Sequence, residues 1–167
     1  MLAAGWSTHR GGLCRPILHL FCRGRQPDMN APQASRIMPP DTEISRPYWD
    51  GCKQGVLRLQ YCSDCDRFQF YPRILCSECG GRSLSWRSVS GRGRVASFTV
   101  VRRGISPAYP APYVVALIDL EEGPRMMSNI IVDDSQPVAV GDTVIVGFQP
   151  WGADHVMPVF ELDKVSR

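Results

Sequence analysis

The chain has 167 residues, 44% hydrophobic and 21% charged, which suits one compact unit or two very small ones of ordinary folded composition. Its apolar runs fall far short of a membrane span, and 15 Gly and 14 Pro favour turns and short strands over long helices. The net charge of +3 is unevenly spread: residues 53–103 hold ten Lys/Arg against three Asp/Glu, and residues 104–167 hold three against nine. A basic middle suits a nucleic-acid face or a phosphorylated cofactor, or it offsets the negative charge of a thiolate metal centre.

Residues 1–43 read as a disordered leader and linker. The stretch to Gln26 carries Arg10, Arg15, Arg23 and Arg25 and no acid. That fits an organelle transit peptide, or residues upstream of a true start at Met29, and the second is the preferred reading. Pro32, Pro39 and Pro40 make residues 30–43 an extended linker. Ser45 is placed to cap a short helix over Arg46 to Lys53, with Pro47 in its first turn. Tyr48, Trp49 and Cys52 fall on one side of that helix, as core or as a docking surface.

Short strands follow at Val56–Tyr61, Phe68–Tyr71 and Leu84–Val89, closing a first unit over residues 44–90. Gly91 and Gly93 break the chain. Longer strands are expected at Arg94–Arg102, Tyr113–Leu120, Arg125–Val132, Thr143–Phe148 and Val156–Leu162. Turn signals separate them at Ser106-Pro107, Glu122-Gly123-Pro124, Asp133-Asp134 and Val140-Gly141-Asp142. Five short strands with regular turns predict a small closed barrel over residues 91–167, with the OB-fold as the commonest choice. The fold class is therefore mainly β: a short helix, a metal ribbon and a five-stranded barrel.

Cys62-Ser-Asp-Cys65 and Cys76-Ser-Glu-Cys79-Gly80-Gly81 carry the clearest chemistry. Two residues between cysteines let one tight turn aim both sulfurs at one ion while its N–H groups donate to the thiolates. Two such knuckles complete a four-sulfur site, expected to hold structural zinc; iron in a rubredoxin-like centre needs the same ligands. Gly80 suits the backbone after the second knuckle, whereas the first has Asp66, which tolerates left-handed geometry less well. Cys14, Cys22 and Cys52 are isolated, and an odd count of seven argues against a disulfide framework and for a reducing, cytoplasmic compartment.

Little else suggests catalysis. His9, His19 and His155 are scattered, and Glu121-Glu122 and Asp133-Asp134 read as solvated turn acids. Gly91-Arg-Gly93 has no helix after it to bind a dinucleotide. The chain reads as a binding or scaffolding module with no catalytic residues of its own. A single-stranded nucleic-acid module is the alternative, since ribbons and OB-folds occur in such proteins. Against it, the barrel holds the acidic third of the chain, and Phe98, Tyr113 and Phe148 are too few and too separated for a stacking platform.

Several motifs occur together: Tyr48-Trp49, Gly55 through Cys65, Tyr71-Pro72-Arg73, Cys76 through Cys79, Trp86 and Ser90 through Val95. They continue with Ala111-Pro112-Tyr113, Leu120 through Arg125, Val140-Gly141 and Pro158-Val159-Phe160. Over residues 44–162 the chain resembles the domain-of-unknown-function family that joins a rubredoxin-like zinc ribbon to an OB-fold. The resemblance implies Cys62, Cys65, Cys76 and Cys79 as zinc ligands. It also implies an accessory subunit of an acyl-CoA enzyme, its partner a thiolase-like, aldolase or hydratase chain that carries the catalytic residues. The small subunit would help form the passage for the CoA thioester. Arg73, Arg92, Arg94, Arg102 and Arg103 form the expected phosphate-facing set, because Arg binds phosphate well. Neither a membrane nor nucleic acid is an expected partner.

Overall fold

The computed structural model describes residues 36–132, 137–152 and 154–163, all within one unit, Gln33–Arg167. The readings on residues 1–35 (the leader, His9, His19, Cys14 and Cys22) and on Asp133-Asp134 lie outside the described residues.

Helix α1 spans Arg46–Lys53, the expected bounds, with Pro47 in its first turn, where a missing N–H costs nothing. Its buried side holds Tyr48 and Cys52, with Trp49 packed at the edge of the same cluster. Ser45 differs from expectation, because its hydroxyl makes no capping bond to the helix. It sits in αR geometry and its Oγ turns back to Thr42, accepting from the Thr42 N–H at 3.1 Å. At the other end the Val56 N–H donates to Gly51 O (2.9 Å) and the Gly55 N–H to Cys52 O (3.1 Å). These bonds satisfy the last carbonyls and turn the chain into the ribbon.

The ribbon is a three-stranded antiparallel sheet of β1 (Arg58–Cys62), β2 (Arg67–Gln69) and β3 (Leu84–Ser88), with β1 in the centre. Leu57 and Leu59 are fully buried between this sheet and α1. Strand β2 stops at Gln69, two residues short of expectation, where the chain turns through Phe70, Tyr71 and Pro72.

Five strands close the barrel: β4 (Arg92–Val101), β5 (Tyr113–Leu120), β6 (Arg125–Ile131), β7 (Thr143–Trp151) and β8 (His155–Leu162). Their order is β4-β5-β6-β8-β7, with β6 and β8 parallel and all other neighbours antiparallel. A three-strand meander closed by a hairpin whose last strand runs parallel to the third is the OB-fold arrangement. Alternation sets the interior: Val114, Ala116, Ile118 and Leu120 point inward from β5, meeting Val95, Met126, Val144 and Phe160. Each such side chain contributes about 1.5–3 kcal/mol by leaving water.

Gly91 and Gly93 do different things. Gly91, at φ 70°, makes the expected break, but Gly93 lies inside β4. A Cβ on Gly93 would stand 2.7 Å from Asp119 O and 2.8 Å from Ile118 Cγ2, so only glycine lets β4 approach β5 that closely. A bulge between Val95 and Ser97 then bends β4 around the barrel. Strand β7 runs three residues past its expected end to Trp151, forming a hairpin with β8.

Helix α1 packs on both β1 and β8. Tyr48, Cys52, Leu57 and Leu59 therefore join the barrel residues in one apolar cluster. Residues 36–42 lie against the barrel. The Trp151 indole N–H donates to Ile37 O at 3.2 Å, and the Ile37 N–H to the Tyr109 hydroxyl at 3.0 Å. No helix among the described residues is long and apolar enough to cross a membrane.

Candidate metal centre

Strand β1 delivers Cys62 at its last residue, and the turn over residues 63–66 returns Cys65 to the same point. The second knuckle is a tight turn in which the Gly80 N–H donates to Cys76 O (3.0 Å) and the Cys76 N–H to Gly81 O (2.9 Å). Gly80 has φ 72°, as its position suggests. Asp66 occupies the matching place at φ 57°, the one left-handed non-glycine among the described residues. Its carboxylate accepts a hydrogen bond from the Tyr61 hydroxyl, which offsets part of the cost of that backbone. Bonded to that carboxylate, the Tyr61 phenol is held above its ordinary pKa. The Arg87 guanidinium lies 3.4 Å from the Tyr61 ring centroid and covers it.

The four sulfurs lie within 4.8 Å of one another. Cys62 Sγ is 3.7 Å from Cys79 Sγ, and Cys65 Sγ is 3.6 Å from Cys76 Sγ. A tetrahedral metal with bonds of about 2.3 Å to sulfur needs sulfur–sulfur edges of about 3.8 Å, so the cage fits that ion. Cys62 and Cys76 are buried and Cys79 is exposed. The N–H groups of Cys79 and Glu78 bring the Cys76 thiol down to about 7. Burial, with the crowding of the other sulfurs, pushes Cys65 up to about 12. A divalent cation relieves that crowding, because the ligands bind as thiolates.

Two residues that sequence reasoning missed hold this cage. Gln60 and Gln69 are both buried, at 5% exposure. Gln69 Nε2 donates to Gln60 Oε1 at 2.7 Å. Gln60 Oε1 also accepts from the Arg73 N–H (2.8 Å), while its Nε2 donates to Arg73 O (2.9 Å). Gln69 Oε1 accepts from the Ser77 N–H at 2.8 Å, next to Cys76. The pair ties the loop that carries Cys76 to the strands that carry Cys62. The only signal in sequence was two polar residues in strands that otherwise bury their inner face.

The five arginines do not form one strip. Arg92 and Arg94 project outward near the start of β4, between buried Gly93 and Val95. Arg92 pairs with Asp163 at 2.6 Å, and Arg94 donates to Gly141 O at 3.3 Å. Arg102 and Arg103 follow the other end of β4, just past Val101. Arg73 is exposed on the ribbon loop. His155, read as a turn residue, begins β8, with its ring edge-on to Trp49 at 6.2 Å. Phe98 and Phe148 pack against the core cluster instead of forming a stacking face. Cys52 is 1% exposed, and burial pushes its thiol to about 12, so it is inert rather than nucleophilic.

Comparison with known proteins bears on the same residues. Residues 49–85 match the family model described as "ChsH2, rubredoxin-like zinc ribbon domain", and residues 86–149 match "ChsH2, C-terminal OB-fold domain". A DUF35 domain-containing scaffold protein of Methanothermobacter thermautotrophicus is 37% identical over 90 residues, 53% of this chain and 68% of that protein. A probable enoyl-CoA hydratase alpha subunit of Thermomonospora curvata is 30% identical over 131 residues. That match takes in 77% of this chain but only 40% of that protein. Among solved structures, a chain of the Ltp2-ChsH2(DUF35) aldolase is similar at TM-score 0.68 and 27% identity, over 75% of this chain and 98% of that one. A four-cysteine ribbon running into an OB barrel, matched along its length in this way, makes the chain a member of the DUF35 family, the ChsH2-type union of a zinc ribbon with an OB-fold.

Proposed function

We propose that Cys62, Cys65, Cys76 and Cys79 hold one structural zinc ion. The chain then serves as a non-catalytic accessory subunit of an acyl-CoA enzyme of hydratase, aldolase or thiolase kind. The observation that carries this reading is the closed cage. Four protein sulfurs fill a tetrahedral metal and leave no position for water or substrate, so the ion staples the ribbon. The relatives support the class of partner: one is named a hydratase alpha subunit, and another is the aldolase named Ltp2-ChsH2(DUF35).

Docking falls to the ribbon loop. Tyr71, Ile74 and Leu75 are 54%, 64% and 41% exposed, an apolar run that suits a protein interface. Arg92 with Arg94, Arg102 with Arg103, and Arg73 are three separate candidates for the CoA phosphates, each on a surface a partner could complete. The experiment is co-expression with the acyl-CoA hydratase, aldolase and thiolase chains of the same genome, followed by size exclusion and an acyl-CoA turnover assay. Co-elution, with activity lost when this chain is omitted, is the expected result. Failure to associate with any of them, each being fully active alone, overturns the accessory role. Metal analysis of the purified chain should give one zinc, and full zinc content in Cys76→Ser would refute the ligand set.

A further inference from the structure

Strand β3 is an edge of the ribbon sheet, with β1 on one side and no strand on the other. Two bonds that flank its ladder fix which way its backbone groups point. The Val89 N–H donates to Leu57 O and the Ser63 N–H to Ser83 O, both at 3.0 Å. In an antiparallel ladder, hydrogen-bonded pairs alternate with non-bonded ones. Leu59 opposite Arg87 and Tyr61 opposite Ser85 are therefore bonded pairs, and Arg87 and Ser85 turn their N–H and C=O towards β1. Trp86 and Ser88 have the other parity, so their backbone N–H and C=O groups point away from β1, along the open edge.

The chain itself stops this edge at both ends. Leu84 and Ser90 are the next positions of the outward parity. The Leu84 N–H donates to Arg82 O at 2.7 Å, and the Ser90 N–H to the Glu122 carboxylate at 2.6 Å. Between these stops, the backbone groups of Trp86 and Ser88 make no hydrogen bond among the described residues. Folded proteins usually blunt a free edge, because unpaired N–H and C=O groups template pairing with another chain. Here the ends are blunted and the middle is open. The charge along it has one sign: residues 82–94 hold four Arg and no acid. Arg82 and Arg87 are exposed, with no ion pair among the described residues, and Arg87 lies over the Tyr61 ring.

We propose that the middle of β3 is a strand-addition site for a short, extended, acidic segment of a protein partner. The backbone of that segment pairs with Trp86 and Ser88, and its carboxylates meet Arg82 and Arg87. The stops at Leu84 and Ser90 leave room for about five residues. Main-chain bonds supply the affinity and the charges the selection. A second copy of this chain fits less well, because pairing Trp86 with the other copy's Ser88 sets one Arg87 directly against the other. The inference rests on the ladder and the charges, not on the acyl-CoA reading, and it adds a second kind of contact to the exposed loop assigned to docking above.

The test uses the zinc-loaded full chain, isotope-labelled for NMR, and the peptide acetyl-Glu-Val-Thr-Val-Glu-amide. The backbone amide signals of Trp86 and Ser88 should move downfield saturably, and those of Ser85 and Arg87, already bonded to β1, should move less. Replacing both glutamates of the peptide with lysine should weaken binding about fivefold. Two methylated peptides separate strand addition from charge attraction. One carries N-methyl groups on its first, third and fifth residues, the other on its second and fourth. Only one of these sets faces β3 in an added strand, so one peptide should lose more than about tenfold in affinity and the other little. Ser88→Pro removes an N–H that β1 does not use and should abolish binding, with unchanged zinc content showing that the ribbon is intact. Arg87→Glu leaves the backbone alone and should reverse the preference between the glutamate and lysine peptides. Equal binding of those two peptides, equal binding of the two methylated ones, or Trp86 and Ser88 signals that do not move overturns the proposal. So do signals that move with protein concentration alone, since the edge is then paired with a second copy.

Discussion

Replacing Gln60 with methionine keeps the length of the side chain and removes its polar end. Three hydrogen bonds go with it: from Gln69 Nε2 (2.7 Å), from the Arg73 N–H (2.8 Å) and to Arg73 O (2.9 Å). Gln69 is buried and its amide nitrogen would keep only a long contact to Leu75 O at 3.4 Å, so it bears a cost of about 1–3 kcal/mol. Arg73 is on an exposed loop, and water can replace part of what its backbone loses, at about 0.5 kcal/mol for each bond. The sum is about 2–4 kcal/mol, all of it in the loop that presents Cys76. Metal binding and ribbon folding are linked, so the loss should appear as zinc affinity weakened by about 30- to 1000-fold. Competition with a chromophoric chelator measures this directly. A Gln60→Met chain holding zinc within about threefold of the parent would show that the glutamine pair does not support the cage.

Three further outcomes are expected. Gly93→Ala should lower stability by about 1–3 kcal/mol in urea unfolding, because its methyl meets Asp119 O at 2.7 Å and two paired strands must separate. The Arg125 guanidinium, at 2.6 and 2.9 Å, holds the Asp119 carboxyl below its ordinary value. The pair therefore supports the fold above the unfolded carboxyl value and loses that support as pH falls through the lower folded one. An NMR titration should find Asp119 below about 3.9, returning towards it in Arg125→Ala. Zinc should be released as the solution is acidified, since each thiolate must take up a proton to let go, and the release should coincide with loss of ribbon structure by circular dichroism.

Much of this molecule was legible from local signals. Helix α1 was marked by Pro47 and by the spacing of Tyr48 and Cys52, and the metal knuckles by the two residues between each cysteine pair. The barrel strands showed their alternation and their Gly and Asp turns. Long-range features were harder to read. Ser45 looked like a cap because serine before a proline-started helix usually is one, yet Thr42, three residues earlier, competes for its hydroxyl. The five arginines looked like a strip because they are near in sequence, and a ten-residue strand sets two of them at its far end from two others. Gln60 and Gln69 meet only because β1 and β2 pair in a register that puts them opposite each other.

The barrel's seams differ in how they can form. Strands β4, β5 and β6 follow one another along the chain, and β7 and β8 make a long hairpin of their own. Joining these halves are the β4–β7 seam at Arg92, Gly93 and Arg94 and the parallel seam of Ile130 with Phe160 and Ile131 with Glu161. The hairpins close short loops, whereas the seams close long ones at a greater cost in chain entropy. Closure of the barrel therefore joins two pieces that are each local in sequence. Phe160, fully buried at the second seam and in the same cluster as α1, is the residue that reports when it has happened.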